Sequence, residues 1–180
     1  MKKALTKRYE WLISVINASH FKTGAEIGCA QGFTTGRVLR QCPGLVVLYA
    51  VDLWAPVPDE FTRDNNYDAW DFERVKMQFK ENTLFNHSKL SILKGITWEQ
   101  ASRVPDNSLD FVFIDAGHTF ECVKNDIMAW TPKLKGRGII SGHDINMEEV
   151  LKAVTELIPN FKDTGIDHCW YAGKEDVIWG

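Results

Sequence analysis

The sequence predicts an α/β fold in which helices pack against a parallel sheet, and three observations carry that reading. Five short apolar runs alternate with segments whose apolar residues recur at helical spacing. The stretches between successive runs are long enough for the crossovers of about a dozen residues that parallel neighbours need. Finally, Glu26, Asp52, Gly95, Asp115 and Asp144 all fall at or near the carboxyl ends of those runs, the edge where open α/β sheets bind ligands.

Leu5, Tyr9, Leu12, Ile13 and Ile16 share a helical face, so the chain opens with an amphipathic helix over the sheet or the cleft. The first strand runs into a glycine turn over residues 28–32. A helix carrying Thr34, Thr35 and Gly36 extends from there to about Arg40 and is closed by Pro43-Gly44. Leu45-Val-Val-Leu-Tyr-Ala-Val51 is the second strand and breaks off at Asp52. Residues 54–70 are polar and contain Pro56, Pro58, Asp59, Glu60, Asp64 and Asn65 around Phe61 and Tyr67. So long a connection reads as a substrate-side lid, or else as a variable surface loop.

Phe72, Val75 and Phe79 mark the next helix, and Leu90-Ser-Ile-Leu93 is the third strand, with residues 95–98 lining the cleft. A short helix and the turn Pro105-Asp-Asn-Ser108 lead into the fourth strand, Leu109-Asp-Phe-Val-Phe-Ile-Asp115. Phe120, Val123, Ile127 and Trp130 give the helix after it. Residues 132–138 read as a turn into a fifth strand over 139–144. Asn146, with Glu149 at N3, is a candidate cap for a helix striped by Val150, Val154 and Leu157. Phe161, Cys169-Trp-Tyr171 and Val177-Ile-Trp179 remain for the last strands.

At 180 residues the chain suits a single domain, and 21 basic against 24 acidic residues without long runs of either sign argues against a nucleic-acid or anionic-membrane partner. No window is apolar enough for a signal or a membrane span. Cys29, Cys42, Cys122 and Cys169 are scattered without zinc spacing, which fits reduced thiols in a cytoplasmic protein. A homodimer stays open.

The glycine turn is the part of the chain that points to a ligand. Glycines tolerate positive φ and let a ligand approach the backbone, while the following helix offers unpaired amides and the positive end of its dipole. Asp52 at the end of the second strand occupies the position that meets ribose hydroxyls in doubly wound folds. A dinucleotide is disfavoured, because Ala30 and Phe33 stand where Gly-x-Gly-x-x-Gly requires its second and third glycines.

Glu26-x-Gly28-x-x-x-Gly32 with Asp52 resembles the cofactor motif of class I S-adenosylmethionine-dependent methyltransferases, with Ala30 in place of the usual middle glycine. Leu109-Asp-Phe-Val-Phe-Ile-Asp-Ala-Gly-His-Thr-Phe-Glu, together with Gly-Ile-Ile-Ser-Gly-His-Asp144, is similar to small-molecule O-methyltransferases of the macrocin type. That resemblance implies a Rossmann-like, doubly wound, mostly parallel seven-stranded sheet with helices on both faces and an antiparallel final strand. It implies a methyl donor held by Glu26, Gly28, Cys29, Ala30, Gly32, Asp52, Leu53, Gly95, Ile96, Thr97, Trp98 and Asp115. It also implies Mg²⁺ on Asp115 and Asp144, with His143 where some members carry an acid, and His118 as the base beside Asp115. The acceptor would be a small hydroxylated molecule, a sugar or secondary-metabolite moiety. Each residue also has a plainer reading: Asp115 and Asp144 as helix caps, His143 as a hydrogen-bonded structural histidine, Trp98 as core. A domain that binds the donor without catalysis, or one acting on a macromolecule, stays open.

Overall fold

Five strands pair in parallel in the computed structural model, which describes residues 5–56 and 70–178. They are β1 (Thr23–Ile27), β2 (Val47–Asp52), β3 (Leu90–Lys94), β4 (Leu109–Ile114) and β5 (Leu134–Gly142). The short β6 (Lys162–Asp163) and β7 (Trp170–Gly173) complete the sheet in the order β3-β2-β1-β4-β5-β7-β6, with β7 antiparallel to both of its neighbours. This is the doubly wound, mostly parallel sheet of seven strands that sequence and resemblance together predict. Most of the expected lid, residues 57–69, lies outside the described residues, as does Trp179.

The helices divide between the two faces of the sheet because the central strands alternate. Phe111 and Phe113 of β4 point to one face, where they meet Trp11, Leu12 and Ile16 of α1 (Arg8–Ala18) and Val38 and Leu39 of α2 (Phe33–Gln41). Val112 and Ile114 point to the other, against Val123, Ile127 and Trp130 on α5 (Phe120–Trp130) and Val150, Val154 and Leu157 on α6 (Glu148–Leu157). With both faces covered, β4 reads as continuous apolar sequence rather than as alternation. Between α2 and α5 in the chain come α3 (Phe72–Thr83), whose Val75 and Phe79 pack on Ala50 and Trp54, and the single turn α4 (Thr97–Gln100). No helix among the described residues is long and apolar enough to cross a membrane.

Three boundaries differ from the sequence reading. β5 begins at Leu134, not at 139, because Leu134 is fully buried and pairs with Leu109; an irregularity in register then accommodates the glycine-rich, basic residues that disguise this part of the strand. It also ends at Gly142, so His143, in a bend, and Asp144 after it stand beyond the strand. Second, α6 starts at Glu148 with Met147 at its cap and no side-chain cap bond, which excludes Asn146 from that role. Glu149 instead reaches across to accept a hydrogen bond from the Phe120 amide at 3.1 Å, satisfying a free donor at the start of α5. Third, Val177 follows a 3-10 turn rather than lying in a strand. At the other end of the chain Leu5 is exposed and Trp11 takes the buried place beside Leu12.

Sheet order reverses between β1 and β4, since β1 leads outward to β2 and β4 leads outward to β5. Helices leave in opposite directions from such a point, and a crevice opens at the carboxyl ends of the two strands. Gly28 and Asp115 are the first residues of that crevice.

Candidate active site

The glycine turn is built by three hydrogen bonds to one carboxylate. Asp52 Oδ2 accepts from the amides of Cys29 and Ala30 at 2.9 and 2.8 Å, and Oδ1 accepts from the Trp54 amide at 2.8 Å. The carboxylate expected to meet ribose hydroxyls is thus also the staple between the β1 turn and the end of β2, and Oδ1 keeps a lone pair for a ligand. Trp54 closes the arrangement with its indole N–H on the Ala30 carbonyl, at 2.9 Å. The Cys29 thiol is buried under the turn against the carbonyls of Glu26 and Val51, and burial holds it well above its ordinary pKa, which suits a structural thiol rather than a nucleophile.

Three of the seven non-glycine residues with positive φ among the described residues lie here. Gly28 has φ 88 and Gly32 φ 73, but Ala30 (φ 42), Trp54 (φ 41) and Asp144 (φ 58) adopt the left-handed region without being glycine. Each such residue costs on the order of 1 kcal/mol, and residues of this kind cluster where a ligand or a mechanism needs them. Ala30 occupies the place where the motif usually has glycine, and its φ gives the physical reason for that preference.

Two connected hollows lie above the turn. The first is largely apolar, walled by Trp54, Trp70, Phe72, Val75 and Trp98, with Asp52, Leu53, Ile96, Thr97 and Cys122 around them. The second is polar, lined by Arg8, Glu26, Cys29, Gln31, Thr34, His118, His143 and Asp144; Gly28, Ala30, Trp70 and Asp115 border both. Every residue expected at the donor site borders one or the other except Gly32 and Gly95, which shape the turns behind them. The sequence reading missed Arg8, Trp70 and the Ala116-Gly117 backbone. Arg8 left no signal, because what distinguishes it is a contact across the chain.

Five side chains meet at the polar end, four from the ends of β4 and β5 and Arg8 from α1. His118 Nε2 lies 2.9 Å from Asp144 Oδ2, and His143 Nδ1 lies 2.9 Å from Asp144 Oδ1 and 3.6 Å from Asp115 Oδ1, while Arg8 Nε lies 3.1 Å from Asp115 Oδ2. Burial would raise the Asp144 carboxyl, but the two histidines beside it overcome that and hold the group well below the ordinary carboxylate range. Asp115 is raised instead, because its burial outweighs the attraction of Arg8 and His143. Burial also opposes the charged form of His143, yet Asp144 and Asp115 together raise its pKa. Both of its ring nitrogens are buried without a well-aligned hydrogen bond among the described residues, so the 2.9 Å approach of Nδ1 to Asp144 is an ion-pair contact rather than an aligned hydrogen bond.

Two buried carboxyls stand behind these walls. Glu26, 2% exposed, accepts the Thr35 hydroxyl at 2.6 Å, and burial pushes it up to about 8 against that hydrogen bond. Asp126 on α5 is fully buried, and among the described residues neither oxygen has a well-aligned hydrogen bond; burial pushes it up to about 7, the nearby Thr97 side chain opposing in part. Trp130 on the same face donates to the Thr97 carbonyl at 3.2 Å. Both folded-state values lie above the unfolded ones, so the stability these acids contribute is complete near pH 4 and is lost as pH rises through 7 to 8. Thermal midpoints of the ligand-free chain should therefore fall between pH 5 and about 8. Asp126→Asn, with no proton to give up, should flatten the part of that slope below about pH 7. An unchanged profile in the variant would show that Asp126 keeps its charge when buried.

The fold and its cleft define the class I methyltransferase architecture, and comparison with known proteins agrees. The chain belongs to the methyltransferase-domain family, whose profile matches residues 25–145. The uncharacterized protein y4gI of Sinorhizobium fredii is 24% identical over 148 residues, 77% of this chain, and the chain spans 14% of the length of that relative. Among solved structures, a candidate caffeoyl-CoA O-methyltransferase from Staphylococcus aureus is similar at TM-score 0.64 and 19% identity, covering 91% of this chain and 80% of that one. The O-methyltransferase from Bacillus cereus in complex with S-adenosylhomocysteine gives 0.60 and 11%, covering 91% and 78%. The spermidine synthase of Thermotoga maritima gives 0.61 and 16%, covering 94% and 62%. At such identities the structures speak for the fold, which the synthase shares. The methyltransferase class expected from the sequence stands on the family match.

Proposed function

We propose that the chain transfers the methyl group of S-adenosylmethionine to a hydroxyl of a small molecule, with His118 as the general base. The observation that carries this reading is the 2.9 Å pairing of His118 with Asp144 beside the polar hollow. With its proton held at Nε2 by a carboxylate, the imidazole has its basic lone pair at Nδ1, the nitrogen left to accept a hydroxyl proton. His118 is about a fifth exposed, so an acceptor can reach it.

The donor suits the two hollows: an aromatic-walled one with Asp52 for the nucleoside, and a polar one with Glu26 for the amino-acid end. Bound there, S-adenosylmethionine would supply an electrophilic methyl group. The work left to the chain is to align the acceptor oxygen, exclude water and take the proton. Trp54, Trp70 and Trp98 supply the dry wall, and His118 takes the proton.

Mg²⁺ fits this donor set poorly. Asp115, His118 and Asp144 offer atoms within 4.8 Å of one another, but a hard cation prefers an all-oxygen shell, and the Arg8 guanidinium already shares Asp115. The likeness to the macrocin type carries the acidic pair but not the acid at position 143, and an imidazole there further lowers the appeal to Mg²⁺. We therefore assign deprotonation to His118 and no step to a metal.

The test is S-adenosylhomocysteine release in the presence of sugars, polyols and phenols, each assayed with and without chelator. Turnover on a hydroxylated acceptor that persists in chelator is expected. Loss in chelator with recovery on adding Mg²⁺ would return Asp115 and Asp144 to a metal. Donor binding with no turnover on any of the acceptors would favour the non-catalytic reading.

A further inference from the structure

Among the described residues the polar hollow has a single guanidinium, and it comes from outside the residues that match the family. Arg8 is the first residue of α1, and among the residues lining the hollow it is the lone lysine or arginine. Its own amide donates to Asp167 Oδ2 at 2.8 Å, and α1 is pinned to the fold through Trp11, which lies 5.8 Å from Tyr171 between ring centroids. The base of the side chain is therefore fixed. Nε faces Asp115, and among the described residues neither terminal nitrogen has a hydrogen-bond partner. A guanidinium held by one edge presents the other as a fork that matches a carboxylate.

We infer that Arg8 binds the carboxylate of the donor's amino-acid moiety, and that α1 thereby forms part of the donor site. This rests on the proposed use of S-adenosylmethionine. An amino acid is a zwitterion, and its two charges need opposite partners. Asp115 borders the same hollow and suits the ammonium group, as does Glu26 once it gives up the proton that burial holds on it; His118 and His143 are already engaged by Asp144, so Arg8 is the counter-charge for the carboxylate. The ion pair with Asp115 need not break: Nε can stay on Asp115 while the terminal nitrogens turn to the ligand. Arg8 then links the charge of the ligand to the carboxylate that ends β4, and α1 to the occupied cleft.

The prediction separates the two ends of the ligand. Calorimetric titration of the full chain with S-adenosylhomocysteine and with methylthioadenosine, which lacks the amino-acid group, should show Arg8→Gln weakened about tenfold or more for the first and less than about twofold for the second. Arg8→Lys, which keeps the charge and loses the fork, should fall between. Retained binding of methylthioadenosine reports an intact fold. A test without mutation is available as well: the wild-type chain should bind S-adenosylhomocysteine about tenfold or more tightly than its decarboxylated analogue. Equal losses for the two nucleosides, or wild-type affinity for S-adenosylhomocysteine in Arg8→Gln, would overturn the assignment and leave Arg8 as a clamp on Asp115. A wild-type chain that binds neither nucleoside would overturn the donor reading and this one with it.

Discussion

Replacing Gly28 by alanine should abolish nucleoside binding and cost the fold about 2–4 kcal/mol. A Cβ at that position would stand 2.1 Å from the carbonyl oxygen of Asp115, 2.5 Å from its carbon and 2.7 Å from the Ala116 Cα. All three are backbone atoms of the neighbouring strand end, so no side chain can swing away to make room. The φ of 88 adds strain of its own, because a β-carbon disfavours the left-handed region. Relief would come from parting β1 and β4 at the point where the sheet order reverses, which is the floor of the cleft. Gly136→Ala is the control, since nothing lies within 4 Å of a Cβ there. Thermal unfolding and titration with S-adenosylhomocysteine check both variants, and a Gly28→Ala chain with wild-type stability and affinity would show that the turn has more freedom than its contacts imply.

The strand ends were legible because strands buried on both faces are written as unbroken apolar runs, and a carboxylate or glycine that stops such a run is conspicuous. Asp52 and Asp115 were found in this way, and Glu26 by its spacing from the glycines of the turn. Boundaries failed where a long-range partner decides them. Leu134 belongs to β5 because of Leu109, and the one lysine, one arginine and two glycines that follow it hide it. The Asn146 cap was credible locally, but helix α6 starts later and Glu149 serves another helix.

The site was legible as a set of residues more than as an arrangement. His118 and Asp144 both stood out, one as a base and the other as a metal ligand, yet their pairing depends on β4 and β5 being neighbours. Arg8 meets Asp115 only because α1 folds back over the sheet. Asp126 was the signal passed over: it lies in the buried stripe of α5 with Cys122, Val123, Ile127 and Trp130, a place where a carboxylate is costly. A lone acid in an apolar helical stripe is readable in sequence, and here it marks the helix behind the Thr97 wall.

His118→Ala should depress turnover by about a hundredfold or more while leaving S-adenosylhomocysteine affinity within about twofold of wild type. The split follows from position. His118 lies three residues past the end of β4's carboxylate and borders the polar hollow alone, away from the aromatic-walled half that suits the nucleoside. Its partner Asp144 is held in place independently, by His143 and by the Met147 amide on its carbonyl at 2.9 Å, so removing the imidazole leaves the loop standing. What disappears is the acceptor for the hydroxyl proton, an interaction that strengthens as the methyl group moves and the oxygen loses electron density to the new bond. Single-turnover measurement with saturating donor isolates that step from binding and product release. A loss of only a few-fold would make His118 a partner that fixes Asp144 rather than a base. A loss of donor affinity equal to the loss in rate would put the imidazole among the groups that bind the donor.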